Sequence, residues 1–151
     1  MMLNEDYQEM LSALHDAGVE FILVGAYALA AHGFPRLTMD MDIWVRPTAD
    51  NAAKVIQALQ RFGAPLQGVT ARDFEDEETV FQIGVAPRRV DLLAGLTGLR
   101  FDEAWLVAPT VEIAGLPLRV LSRSDLIRNK KALGRPKDLE DIRVLEQTGQ
   151  P

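Results

Sequence analysis

The segment DMDIWV at residues 40–45 constrains this chain more than any other. Strand side chains alternate between faces, so Asp40 and Asp42 share one face while Met41, Ile43 and Val45 share the other. Such a strand needs an apolar layer on one side and a role for two carboxylates on the other. The Cα atoms of the pair would stand roughly 6.5–7 Å apart, and carboxylates that close repel unless a cation bridges them. Upstream, the strand-like VEFILV breaks at Gly25-Ala26 into a short helix-like AYALAAHG. Downstream, a third acid, Asp91, sits inside the apolar run RRVDLLAG.

Helices and further strands surround these segments. Apolar residues recur at helical spacing over 3–17 (Leu3, Tyr7, Met10, Leu11, Leu14), and Gly18 stops that helix. Strands are expected at Val19–Val24 and Met41–Val45, and as a hairpin of Thr79–Ile83 with Arg89–Leu93 across Pro87. Pro35 marks irregular backbone between the first two strands. Thr48 caps a helix with Ala52, Val55, Ile56 and Leu59 inward, and Phe101–Val107 makes a helical turn or two. A second hairpin, Thr110–Ile113 with Leu118–Leu121, turns through Ala-Gly-Leu-Pro. Ser122 opens a helix to Leu133, Gly134 ends it, and Pro136 begins a last helix to about Gln147. The acidic stretch Asp73–Glu78 reads as a solvated loop. The sum is α+β: a small mixed sheet with helices mainly on one face.

A length of 151 residues with 48% hydrophobic content suits a single domain over 1–151, with a helical C-terminal segment at about 122–148. A formal charge of -6 argues against broad, nonspecific nucleic-acid binding, which needs a net basic surface. The absence of cysteine removes disulfides and thiolate metal sites and suits a reducing cytoplasm. The acidic start MMLNEDYQEM is unlike a signal peptide, and no apolar run approaches the ~20 residues that span a bilayer.

Three carboxylates on strands suit a hard cation, Mg²⁺ or Mn²⁺, which takes oxygen ligands. A glycine turn entering a helix suits phosphate, because the N-terminal N–H groups there are unpaired. It is neither a dinucleotide fingerprint nor a P-loop. In haloacid-dehalogenase phosphatases and many glycosyltransferases, Asp-x-Asp ends a strand; here it begins one, which disfavours both. Lys130, Lys131, Arg135 and Lys137 form a basic cluster in an acidic chain, and Asp138 and Asp141 share one helix face. Either these charges answer helix dipoles, or Lys130 grips a triphosphate and Asp138 supports it. Trp44 either stacks on a base or packs. His15 and His32 are read as surface or packing residues.

The stretch VGAYALAAHGFPRLTMDMDIWV resembles the signature of the DNA polymerase β-like nucleotidyltransferase superfamily. It looks closest to small bacterial nucleotidyltransferases related to abortive-infection toxins, with LIRNKKALGRPKDLEDI as the late lysine-and-aspartate segment. The resemblance implies metal binding by Asp40, Asp42 and Asp91, with Asp91 helping to activate an attacking hydroxyl. It places triphosphate at Gly25, Ala26, Thr38, Lys130, Arg135 and Asp138. Ala26 departs from the family's glycine or serine, which removes a hydroxyl contact and adds a methyl group. The activity implied is transfer of a nucleoside monophosphate from an NTP to a hydroxyl of RNA (a tRNA end, for example), a protein or a small molecule. A toxin role countered by an antitoxin protein is implied on the same ground. Alternatives are a nucleotide-binding or protein-partner module without turnover, and a metal phosphohydrolase.

Overall fold

The computed structural model describes residues 4–34, 40–85 and 88–147. Leu3, Pro35 and Pro87, singled out above, lie outside them. Helix α1 (Glu5–Asp16) begins where Asn4 accepts a hydrogen bond from the Tyr7 N–H at 2.9 Å. Strand β1 (Phe21–Val24) runs directly into α2 (Gly25–Ala31). Strand β2 (Asp40–Val45) precedes α3 (Ala49–Phe62), which Thr48 caps and the left-handed Gly63 ends. Strands β3 (Val80–Val85) and β4 (Arg88–Leu93) form the expected hairpin, and α4 (Phe101–Val107) follows. Then come β5 (Thr110–Ile113), β6 (Leu116–Arg119), α5 (Arg123–Leu133) and α6 (Pro136–Gln147).

The main sheet has the order β1-β2-β4-β3. β2 runs antiparallel to β1 and parallel to β4, so the sheet is mixed, and the fold is α+β. Met41, Ile43 and Val45 are fully buried, as the alternation requires, in a core with Leu23, Leu92, Val55 and Leu59. On the opposite face the two ends of β2 differ. Trp44 is 1% exposed beneath α4, with its ring edge-on to Phe101 at 5.1 Å. That packing answers the alternatives for Trp44: it cannot stack on a base, because Phe101 already covers it. Asp40 and Asp42, at the other end, remain half-buried.

Two local expectations need correcting. Ala114 and Gly115, with φ of 53° and 80°, make the whole turn of the second hairpin. Positive φ at both positions marks a two-residue type I′ turn, so Leu116 and Pro117 belong to β6 rather than to the loop. Proline is tolerated there because the two-stranded ribbon leaves β6 an edge. The stretch Asp73–Glu78 is not simply a solvated loop. Residues Ala71–Glu75 form a 3₁₀ helix, tied by the Thr70 N–H donating to Asp73 at 2.8 Å, and Phe74 is fully buried.

Candidate active site

The register of three strands positions the acids. Val24, the last residue of β1, lies opposite Asp42, so the turn at Gly25 opens beside that carboxylate. On the other side Asp42 pairs with Asp91, and Asp40 pairs with Arg89. Gly25 has φ of +63°, and a Cβ built on it would come within 2.5 Å of Asp42 Oδ2. Glycine is therefore needed here for two reasons: the left-handed backbone, and the space that the Asp42 carboxylate fills.

The environment of Asp42 is hostile to its charge. Burial, followed by repulsion from Asp91 and Asp40, pushes its pKa up to about 6, while Arg89 and Lys137 pull the other way. Arg89 lies between the two flanking acids. Its Nε donates to Asp91 at 2.9 Å and a terminal nitrogen stands 3.1 Å from Asp40. Among the described residues no three His, Asp or Glu side chains are drawn together as a ready metal cage. The guanidinium holds that place instead, as a cation in contact with two of the three acids. The donor set itself fits a hard divalent cation: all three acids are carboxylates, and the Asp42 carboxylate has no ion pair among the described residues.

Across from the acids, α5 and α6 supply positive charge. Gly134, at φ 64°, ends α5; Arg135 then precedes Pro136, the first residue of α6. The Arg135 N–H donates to the Asp138 carboxylate at 3.1 Å, and the Arg135 side chain reaches the same group at 2.6 Å. Lys130 is buried between α5 and α6, 2.9 Å from Asp141 and 3.7 Å from Asp138. Hydrogen bonding from Arg135 holds the Asp138 carboxyl below the usual carboxylate range, and the charges of Arg135 and Lys130 add to the effect.

A cleft of about 230 Å³ joins the two sides. Gly25, Ala26, Asp40, Asp42, Lys130 and Arg135 line it, as do Lys137 and Asp141. Asp91 and Asp138 do not: Asp91 stands behind Arg89, and Asp138 is fully buried and reaches the cleft only through Arg135 and Lys130. Thr38 lies outside the described residues. Larger hollows of about 480 Å³ lie beside α1 (Glu5, Glu9, Arg61) and beside α4 (Arg100, Glu103, Asp125), but neither touches the carboxylate rim. Reading the sequence missed Arg89 here, and it named Lys137 only as part of the basic cluster, without assigning it to the site. The first was legible in RRVD, because residues two apart on a strand share a face. The second needed the placement of α6 against the sheet.

Over residues 3–150 the chain matches the family described as "Nucleotidyl transferase of unknown function (DUF2204)", and it belongs to that family. No curated protein matches it. Its fold is similar to that of a candidate nucleotidyltransferase from Thermotoga maritima, at 17% identity and a TM-score of 0.58, with 97% of this chain and 96% of that one covered. It is also similar to the antibiotic-resistance factor ANT(2'')-Ia, at 16% identity and a TM-score of 0.57, covering 95% of this chain and 82% of that one. Among the described residues no helix is long and apolar enough to cross a membrane.

Proposed function

We propose that this chain moves a nucleoside monophosphate from an NTP to an acceptor hydroxyl, with Mg²⁺ or Mn²⁺ held by Asp40, Asp42 and Asp91. The observation that carries this reading is the carboxylate rim, whose Asp42 has no ion pair among the described residues, facing a cleft whose far wall is basic. A bound divalent cation would lower the pKa of the attacking hydroxyl and neutralise the departing phosphate. The chain's own residues do the rest by positioning. The backbone N–H groups at Gly25 and Ala26 face the phosphates, and Lys137 and Arg135 attract them from the opposite wall. Lys130, held by two aspartates, presents a fixed charge between them. The acceptor oxygen bonds to the α-phosphorus, the bond to the β-phosphate bridge breaks, pyrophosphate leaves, and Asp91, which would face the cleft once Arg89 withdraws from it, helps to draw off the hydroxyl proton.

At about 230 Å³ the cleft is smaller than the ~300–1,000 Å³ typical of sites that bury a drug-sized ligand. It suits the triphosphate and leaves the base and the acceptor outside. The acceptor classes are an RNA end such as tRNA, a protein side chain or a small molecule, and the toxin reading with its antitoxin belongs to the first two. A second reading, a nucleotide-binding or protein-partner module without turnover, is favoured by Ala26 and by the Arg89 bridge across two of the acids. Incubation with α-labelled ATP, GTP, CTP and UTP, Mg²⁺ and a cell extract separates the two. Label transferred by the wild-type chain and lost in Asp42→Asn supports the enzyme. Calorimetric NTP binding with no transfer in any mixture supports the module.

A further inference from the structure

We propose that Arg89 is a built-in counter-cation of the carboxylate rim, exchanged for the divalent cation when the site loads, so that Arg89 sets the cation concentration the site requires. This rests on the metal reading above. The guanidinium joins acids from two different strands, Asp40 on β2 and Asp91 on β4, and takes oxygens that a hard cation would need. Its contact with Asp91 is two-pronged, at 2.9 Å and 3.4 Å. Such a fork holds both carboxylates in one orientation and keeps their mutual repulsion in check. Asp42 is placed differently. It accepts no hydrogen bond from Arg89, whose nitrogens go to Asp40 and Asp91 instead. Asp42 is therefore the carboxylate at which an incoming cation need displace no hydrogen bond from Arg89, and Asp40 and Asp91 follow as Arg89 gives way.

The backbone is suited to an exchange confined to one side chain. The Tyr7 hydroxyl donates to the Arg89 carbonyl at 3.2 Å, and that tyrosine is buried, so the strand is held at this residue. The Arg89 side chain is 33% exposed, which leaves the guanidinium a path to solvent without movement of β4. Lys130 has no such freedom, being enclosed between α5 and α6.

The test is calorimetric titration of the full chain with Mn²⁺, without nucleotide, for wild type, Arg89→Met, Arg89→Lys and Asp42→Asn, with thermal unfolding of each in chelator and in Mn²⁺. Arg89→Met should bind Mn²⁺ about tenfold more tightly than wild type, because a competing charge a few ångströms away is gone. Arg89→Lys, which keeps the charge and loses the fork, should fall between them. In chelator, Arg89→Met should melt below wild type and regain more of the difference when Mn²⁺ is added. Equal or weaker Mn²⁺ binding by both Arg89 variants, with wild-type binding present and absent in Asp42→Asn, overturns the exchange and leaves the metal site standing. Absence of Mn²⁺ binding in wild type and in both Arg89 variants overturns the exchange together with the metal reading.

Discussion

Two ionic clusters face each other across the cleft, and their charges are balanced differently. On the helical side Lys130 and Arg135 meet Asp138 and Asp141, two charges against two, with both acids buried. On the sheet side, among the described residues, Arg89 touches Asp40 and Asp91 at a half-open rim and Asp42 has no ion pair. The pKa directions follow from that difference: Asp138 is held below the usual carboxylate range, whereas Asp42 is pushed up to about 6. A satisfied buried cluster ties helices together. An under-compensated one at a cleft mouth is poised to take a ligand charge.

The largest expected effect separates the clusters by function. Asp42→Asn should lower label transfer by about a thousandfold, the order lost when a key stabiliser of transition-state charge is removed, with the fold retained by circular dichroism. Lys130→Met attacks the helical cluster and should act on stability. Leaving two buried aspartates without their lysine costs about 3–5 kcal/mol, readable as a shift of the urea midpoint, and a midpoint unchanged from wild type would mean that Lys130 is not a clamp. Gly25→Ala joins backbone strain to a collision with Asp42, for a loss of about 1–3 kcal/mol and weaker Mn²⁺ binding.

The pH dependence of stability is expected to differ in sign between the two sides. The folded-state pKa of Asp42, about 6, lies above its unfolded value of 3.8, so the native state holds the extra proton between those limits. The contribution of Asp42 is therefore most favourable at low pH and declines as pH rises through about 6. Asp42→Asn should consequently be more stable than wild type by about 1–2 kcal/mol at pH 8, with the gap closing towards pH 4. Asp138, with its folded pKa depressed, contributes stability above its unfolded pKa and loses it as pH falls through the folded one. The smallest effect belongs to Lys137, exposed at the cleft mouth. Lys137→Ala should weaken NTP binding by about fivefold and leave the melting temperature within experimental error, since surface changes stay within about 0.5 kcal/mol.

Much of this architecture could be read directly from the chain. Caps and stops such as Thr48, Ser122, Gly134 and Pro136 act through neighbours within four residues, so their meaning is local. The alternation in DMDIWV likewise put Asp40 and Asp42 on one face before any partner strand was known. Trp44 obeyed the same alternation and yet lies in the interior, because Phe101, far along the chain, packs over its ring. The pairing of Asp42 with Asp91, the bridge from Arg89 to Asp40, and the approach of Lys137 to Asp42 all depend on contacts between segments 40 or more positions apart. Side-chain direction along a strand is a property of the backbone and travels with the sequence. Which charges end up sharing one patch of low dielectric is a property of packing, and packing exists only once the chain has folded.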